Sequence, residues 1–211
     1  PANAWSSGLN VRFYNGYVER IGGYLPVMDD EAQEPLGLFY FNSNWVWGSE
    51  DKLYEYVAGI GHELRYTDAS EVVSDGNIWT FTDFSGVLVA SHPDTDPVYW
   101  DGLGTSSTSF AVLPGWGGST PVTWRAKRIR AFQNQLIALN MIEDGVEYPR
   151  RLRWSSIATP NTPPAEWEVL TTNSAGFYDL SNATSEIVDG RILGNTFMIY
   201  TKNEVFAMDY V

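Results

Sequence analysis

The sequence predicts an all-β chain, a β-propeller-like arrangement of repeated antiparallel four-stranded blades. The first observation behind this is a series of short apolar runs separated by turn dipeptides. The second is aromatic enrichment. Trp, Tyr and Phe number 9, 12 and 10 in 211 residues, and such side chains favour half-buried pleated surfaces. The third is a faint internal repeat near the period of a propeller blade, roughly 40–50 residues.

The elements follow in chain order. NVRFY, Asn15-Gly16 and YVERI form a hairpin within residues 10–24, because Asn-Gly supplies the two left-handed positions of a type I′ turn. A first blade is expected over 36–70, where WVWGS, the polar turn Glu50-Asp51-Lys52 and LYEYV follow one another. A second blade over 71–120 contains GVLVAS and PVYWDG. In the third, over 121–170, KRIRAFQNQLIALNMI has the length of a helix. Its β-branched and aromatic residues, and the Gln133-Asn134-Gln135 break, favour two strands instead. RRLRWSS follows as a further strand. The fourth blade, over 171–211, contains FMIYT, the turn Lys202-Asn203-Glu204 and VFAMDY. Asp75-Gly76, Asp101-Gly102, Asp144-Gly145 and Asp189-Gly190 give further turn signals. Placing the last strand of each unit on Leu53, Val98, Leu152 and Val205 gives spacings of 45, 54 and 53. Loops such as SSIATPNTPPAEW absorb the longer intervals. Either a small ring closes with four blades or more blades lie beyond Val211. A β-sandwich of similar strand count is the alternative.

Composition narrows the chemistry. The chain has no Cys, which excludes disulfides, thiolate metal sites and cysteine nucleophiles. No apolar run approaches the roughly 18 residues of a membrane span. PANAWSSGLN lacks a basic stretch followed by an apolar one, so it is not read as a signal peptide. The net charge is −13, which argues against general binding to nucleic acid or anionic membranes. The distribution is uneven. Residues 125–153 carry seven basic and three acidic side chains, while the remainder carries 6 and 23.

Candidate sites are few. His62 and His92 are the only histidines, and neither has a second His at ligand spacing. His92-Pro93-Asp94-Thr95-Asp96 offers one imidazole and two carboxylates, but a proline-set surface turn has the same sequence pattern. Ser74-Asp75-Gly76-Asn77-Ile78-Trp79 faintly resembles the Asp-box of sialidases with the wrong spacing. There is no G-x-S-x-G and no GxxxxGK[ST]. Asn182-Ala183-Thr184 matches a glycosylation sequon, a triplet common by chance. No catalytic residue, cofactor or metal is expected. Trp45, Trp47 and Trp116 would stack on sugars in a carbohydrate-binding or glycoside-cleaving propeller; otherwise they are core.

The basic island is the sharpest feature. Its members are Arg125, Lys127, Arg128, Arg130, Arg150, Arg151 and Arg153, candidates for an interface or a DNA-facing surface. Arg128 and Arg130 share one strand face, and so do Arg151 and Arg153, because side chains alternate along a strand. Leu152 and Trp154 then anchor the opposite face. The four arginines are expected to lie close together on adjacent strands. Their partners are the chain's own carboxylates, such as Glu143, Asp144 and Glu147, or an acidic partner or phosphates.

Several stretches resemble one family. AWSSGLNVRFYNGYVERIGGY looks like the opening of tail proteins in short-tailed phages. LGLFYFNSNWVWGSEDKLYEY resembles the first blade of the packaged-DNA stabilisation proteins, also called tail hub or nozzle proteins. KRIRAFQNQLIAL with RLRWSSIATPNTPPAEW resembles a later blade, and IVDGRILGNTFMIYTKNEVFAMDY the next. The resemblance implies a virion protein that forms a homo-oligomeric ring at the far end of the tail. It implies contact with other tail proteins (adaptor, needle or fibres) and with passing double-stranded DNA, no membrane insertion, and no catalytic residues.

Overall fold

The computed structural model describes residues 11–15, 17–20, 33–57, 61–67, 76–101, 109–118 and 123–209. Regular structure among them is entirely β, with no helix. The chain divides into two compact units, 1–30 and 31–211. The first contains a hairpin of β1 (Val11–Tyr14) and β2 (Tyr17–Arg20), with Tyr14 opposite Tyr17. Asn15 has φ 48°, as the first position of a type I′ turn requires. Gly16 lies outside the described residues.

The second unit contains four antiparallel sheets, none closed into a barrel, each a meander of consecutive strands. The first is β3 (Gly37–Phe41), β4 (Asn44–Gly48), β5 (Lys52–Val57) and β6 (Gly61–Thr67). The second is β7 (Thr80–Phe84), β8 (Val87–Ser91), β9 (Val98–Trp100) and β10 (Ala111–Val112). The third is β11 (Trp124–Phe132), β12 (Gln135–Glu143), β13 (Val146–Trp154) and β14 (Gly176–Asp179). The fourth has three strands, β15 (Ile187–Leu193), β16 (Thr196–Thr201) and β17 (Val205–Asp209). Tight left-handed turns join many of the neighbours. Asn42 and Ser43, Ser85 and Gly86, and Asp144 and Gly145 all have positive φ. KRIRAFQNQLIALNMI is two strands, β11 and β12, folded at Gln133, whose φ is 52°.

Leu53, Val98, Leu152 and Val205 each fall on the third strand of a sheet. The sequence reading made these the last strands, which corrects to third strands, because β6, β10 and β14 add a further strand outside three of them. The third sheet continues to Asp179, beyond the expected boundary at 170. Its last connection, 155–175, is long and buries Trp167 completely. Asp189-Gly190 is not a turn. It lies inside β15, where the register slips between Ile187 and Asp189, the mark of a β-bulge. Asp75 and Gly102, of two other turn signals, lie outside the described residues.

Three cores lie between successive sheets. Phe41, Val46 and Leu53 of the first sheet meet Phe81, Leu88, Ala90 and Trp100 of the second. Val87 and Val89 of the second meet Ile129, Leu136 and Met141 of the third, with Trp167. Ile137, Leu139 and Leu152 of the third meet Ile187, Phe197 and Ile199 of the fourth. Alternation explains why VLVAS of β8 is buried throughout. Leu88 and Ala90 point to one neighbouring sheet and Val87 and Val89 to the other. The first strands touch in succession, β3 with β7, β7 with β11 and β11 with β15. This brings the cations of β11 against both neighbouring sheets.

Candidate functional site

The seven cations lie on β11 and β13, and the pairs Arg128–Arg130 and Arg151–Arg153 lie on opposite faces of the third sheet. Strand β12 lies between β11 and β13. Arg130 pairs with Ile137, which pairs with Trp154; Arg128 pairs with Leu139, which pairs with Leu152. Ile129 pairs with Ala138, which pairs with Arg153. Directly opposed residues share a face, so Arg128 and Arg130 lie on the Leu152 face and Arg153 on the other. The expectation of four arginines clustered on adjacent strands is therefore corrected. The intervening strand and the one-residue offset in register separate the pairs.

The β11 group ties sheets together. Arg125 forms an ion pair with Asp96 of the second sheet's loop and donates to the Asp94 carbonyl. Lys127 Nζ lies 2.9 Å from Glu186, at the entrance to β15. Arg130 is only 5% exposed and makes a bidentate pair with Asp189, Nε to Oδ1 at 2.7 Å and Nη2 to Oδ2 at 2.8 Å. Burial pushes the Asp189 carboxyl up, but the hydrogen bonds and charge of Arg130 outweigh it and leave the carboxyl lowered. Asn140 adds two bonds from Nδ2, to Glu186 at 3.2 Å and to the Ile187 carbonyl at 2.9 Å. It has φ 58° at an irregularity of the β12–β13 register. Glu186 also meets Lys202 at 2.6 Å. Hydrogen bonds from Lys202, Lys127 and Asn140 hold its carboxyl down to about 2.

Arg128 differs from its neighbours. It makes no ion pair among the described residues, and its Nη1 donates to the Lys127 carbonyl at 2.6 Å. Burial lowers its pKa, Asp189 opposes that, and the charge of Arg130 adds to it.

On β13, Arg151 and Arg153 lie on the other face, while Arg150 alternates with them and shares the Leu152 face. Arg151 meets Asp179 through Nε and Nη2, both at 2.8 Å, and Glu143 through Nη1 at 2.9 Å. Its guanidinium lies 3.8 Å from the centre of the Tyr148 ring. The hydrogen bond to Asp179 leads the causes that raise its pKa. Arg153 is 5% exposed, shares Glu143 at 2.9 Å, and lies 4.1 Å over the Trp124 ring. Arg150 is exposed and donates to the Ala183 carbonyl at 2.7 Å. Of the three carboxylates named from sequence, Glu143 is a partner of the arginines. Asp144 instead accepts from the Thr123 N–H. Asn140, Asp179, Glu186 and Asp189 were missed. An Asn inside the apolar run LIALNMI is a bulge signal in retrospect, whereas the three acids are non-local partners that spacing does not reveal.

The other candidates disperse. His92 is 1% exposed, beside the Trp79 ring at 5.3 Å. Its Nδ1 accepts from the Asp94 N–H at 3.2 Å, while Asp96 belongs to Arg125. No group of three or more metal-ligating side chains occurs among the described residues. The side chain of His62, and residues Ser74 and Asp75, lie outside them. Trp79 is core, donating to the Ser49 carbonyl at 2.7 Å. Trp47 is buried against Tyr54, and Trp116 packs edge-on to Trp124 and Trp167. Trp45 alone of the three is exposed, at 36%, beside Tyr40.

No family model matches the chain, and no curated protein matches it. The fold is similar to the crystal structure of the computationally designed Ika4 protein. That match has a TM-score of 0.51 at 14% identity and covers 89% of this chain and 98% of that one. It bears on fold alone.

Proposed function

We propose that this chain is a non-enzymatic structural protein of a phage tail, a propeller-like hub or nozzle. In this reading it forms a homo-oligomeric ring, extends the DNA channel, helps retain packaged DNA and docks adaptor, needle or fibres. The observation that carries the structural half of the reading is the use made of the basic island. Arg125, Lys127 and Arg130 each bridge to a neighbouring sheet, so the most charged segment is committed to holding sheets in succession. Sheets stacked in chain order, with first strands in contact, support the propeller. The tail assignment rests on the resemblance of the stretches that form β3–β5, β11–β13 and β15–β17. Arg128 and Arg150, without carboxylate ion pairs among the described residues, are the members of the island open to phosphates or to a neighbouring subunit.

The test replaces Arg128 and Arg150 with Ala together, and Arg151 and Arg153 with Ala in a second variant. Tail assembly and DNA retention are then scored separately in reconstituted particles. The first variant is expected to lose DNA retention or assembly while folding normally. Unchanged behaviour of both variants removes the island from function. Electron microscopy of the native particle is expected to place the chain in a ring at the tail's distal end. The rival is a carbohydrate-binding propeller using Trp45 and Tyr40. A glycan array with a hydrolysis assay separates the two, and polysaccharide turnover lost on replacing one carboxylate would overturn the non-enzymatic reading.

A further inference from the structure

We infer that the turn after β8, residues 92–95, is an acid-released latch between the second and third sheets, with the unprotonated Nδ1 of His92 as its catch. His92 holds the turn in two ways. Its carbonyl accepts from the Thr95 N–H at 3.4 Å, and its Nδ1 accepts from the Asp94 N–H at 3.2 Å. Pro93 takes the second position, where its fixed φ suits a type I turn. A side chain that accepts from the N–H two residues on does here what Asn or Asp does in an Asx-turn. An imidazole can do so only with a bare Nδ1.

Asp94 also holds the neighbouring sheet. Its carbonyl accepts from Arg125 Nε at 3.3 Å, and the Asp96 carboxylate pairs with Arg125 Nη1. Arg125 stands at the start of β11, so one short turn carries both the catch and the tie to the third sheet. The turn is packed into the molecule. Pro93, Thr95 and Pro97 are buried, and so is the whole His92 side chain. The Pro97 carbonyl accepts from the Leu113 N–H at 2.8 Å, which anchors the chain on the far side of Asp96.

Protonation opens the catch. A proton on Nδ1 faces the Asp94 N–H, donor against donor, and the bond is lost. The Asp94 carboxylate, 3.7 Å from Nδ1, then becomes the partner of the imidazolium. Turning Asp94 to reach it draws the Asp94 carbonyl away from Arg125. The charges acting on His92 are Asp94 of its own turn, which favours the imidazolium, and Arg128 of β11, which opposes it. The segment before β7 presents the Trp79 ring and the Asn77 backbone, neither of them charged. Burial is the largest influence and keeps the ring neutral until pH falls toward 4. The latch is therefore closed at neutral pH and opens in acid.

Linkage supplies the test. If protonation costs the tie to Arg125, weakening that tie must raise the proton affinity of His92. The full chain is titrated downward from neutral pH by NMR, following the imidazole Cε1–H signals, with His92→Gln identifying the signal of His92. Asp96→Asn weakens the tie. Losing a nearby negative charge would by itself lower the His92 midpoint, whereas a loosened latch raises it, by about half a pH unit or roughly threefold in proton affinity. Arg125→Lys keeps the charge, loses the Nε donor, and is expected to shift the midpoint upward as well. Failure of either variant to raise the midpoint overturns the latch. Loss of the buried Trp167 indole signal at the same midpoint as His92 also overturns it, because the turn then opens only as the whole chain unfolds.

Discussion

Burial dominates the ionisation of His92. It lowers the imidazole pKa from 6.5 to about 4, against the favourable charge of Asp94 and the Asn77 backbone, with Arg128 adding to the lowering. A neutral buried imidazole stabilises the fold fully above the unfolded-state value. That contribution, on the order of 3 kcal/mol, is lost as pH falls from about 6.5 toward 4. His92→Gln should flatten the stability–pH curve in that window, read by urea denaturation at pH 7 and pH 4.5. A second residue-scale constraint is Gly48. A Cβ there would lie 2.4 Å from Cδ1 of Trp79, whose indole is fixed by its bond to the Ser49 carbonyl. Gly48→Ala should cost about 1–3 kcal/mol through overpacking, and a thermal melt that does not move would contradict the close approach.

Between elements, the Arg130–Asp189 pair joins β11 to β15. Removing one partner of such a pair leaves a buried charge without compensation, whereas replacing both with apolar groups is often close to neutral. Asp189→Asn should therefore destabilise by about 3 kcal/mol, toward the low end of that effect because the carboxylate is partly exposed. Arg130→Met combined with Asp189→Leu should recover most of the loss. A double variant no better than the single would show that the pair acts through geometry rather than charge. The Asp189 carboxyl is lowered, so the pair's stabilisation is present above the usual carboxylate range. It is lost as pH falls through the lowered value.

For the whole molecule, the far-UV spectrum should be that of a β protein, and a helix content near a third, the average for globular domains, would contradict the fold. The Glu186 cluster joins the third and fourth sheets through Lys127 and Asn140. Its carboxyl is held near 2 by hydrogen bonds. The contribution stands above the ordinary Glu range and fades as pH drops from about 4.5 toward 2. Glu186→Gln should remove that acid-range dependence in a melting series from pH 5 to pH 2.5.

Sequence by itself determined the strands. Alternation and paired left-handed turns are local properties, which is why the β11–β12 hairpin and the strands at Leu53, Val98, Leu152 and Val205 were legible, though not that a further strand follows three of them. It also identified the cations of the island and the shared face of each arginine pair. Asp189-Gly190 misled because the same dipeptide serves a turn or a bulge, and pairing with β16 made it a bulge. The separation of the arginine pairs and their partners Asp179, Glu186 and Asp189 were decided only by tertiary structure. A strand's pattern says which residues share a side. Which sheet faces that side, and what charge lies across from it, depends on residues 28 to 59 positions away brought together by packing.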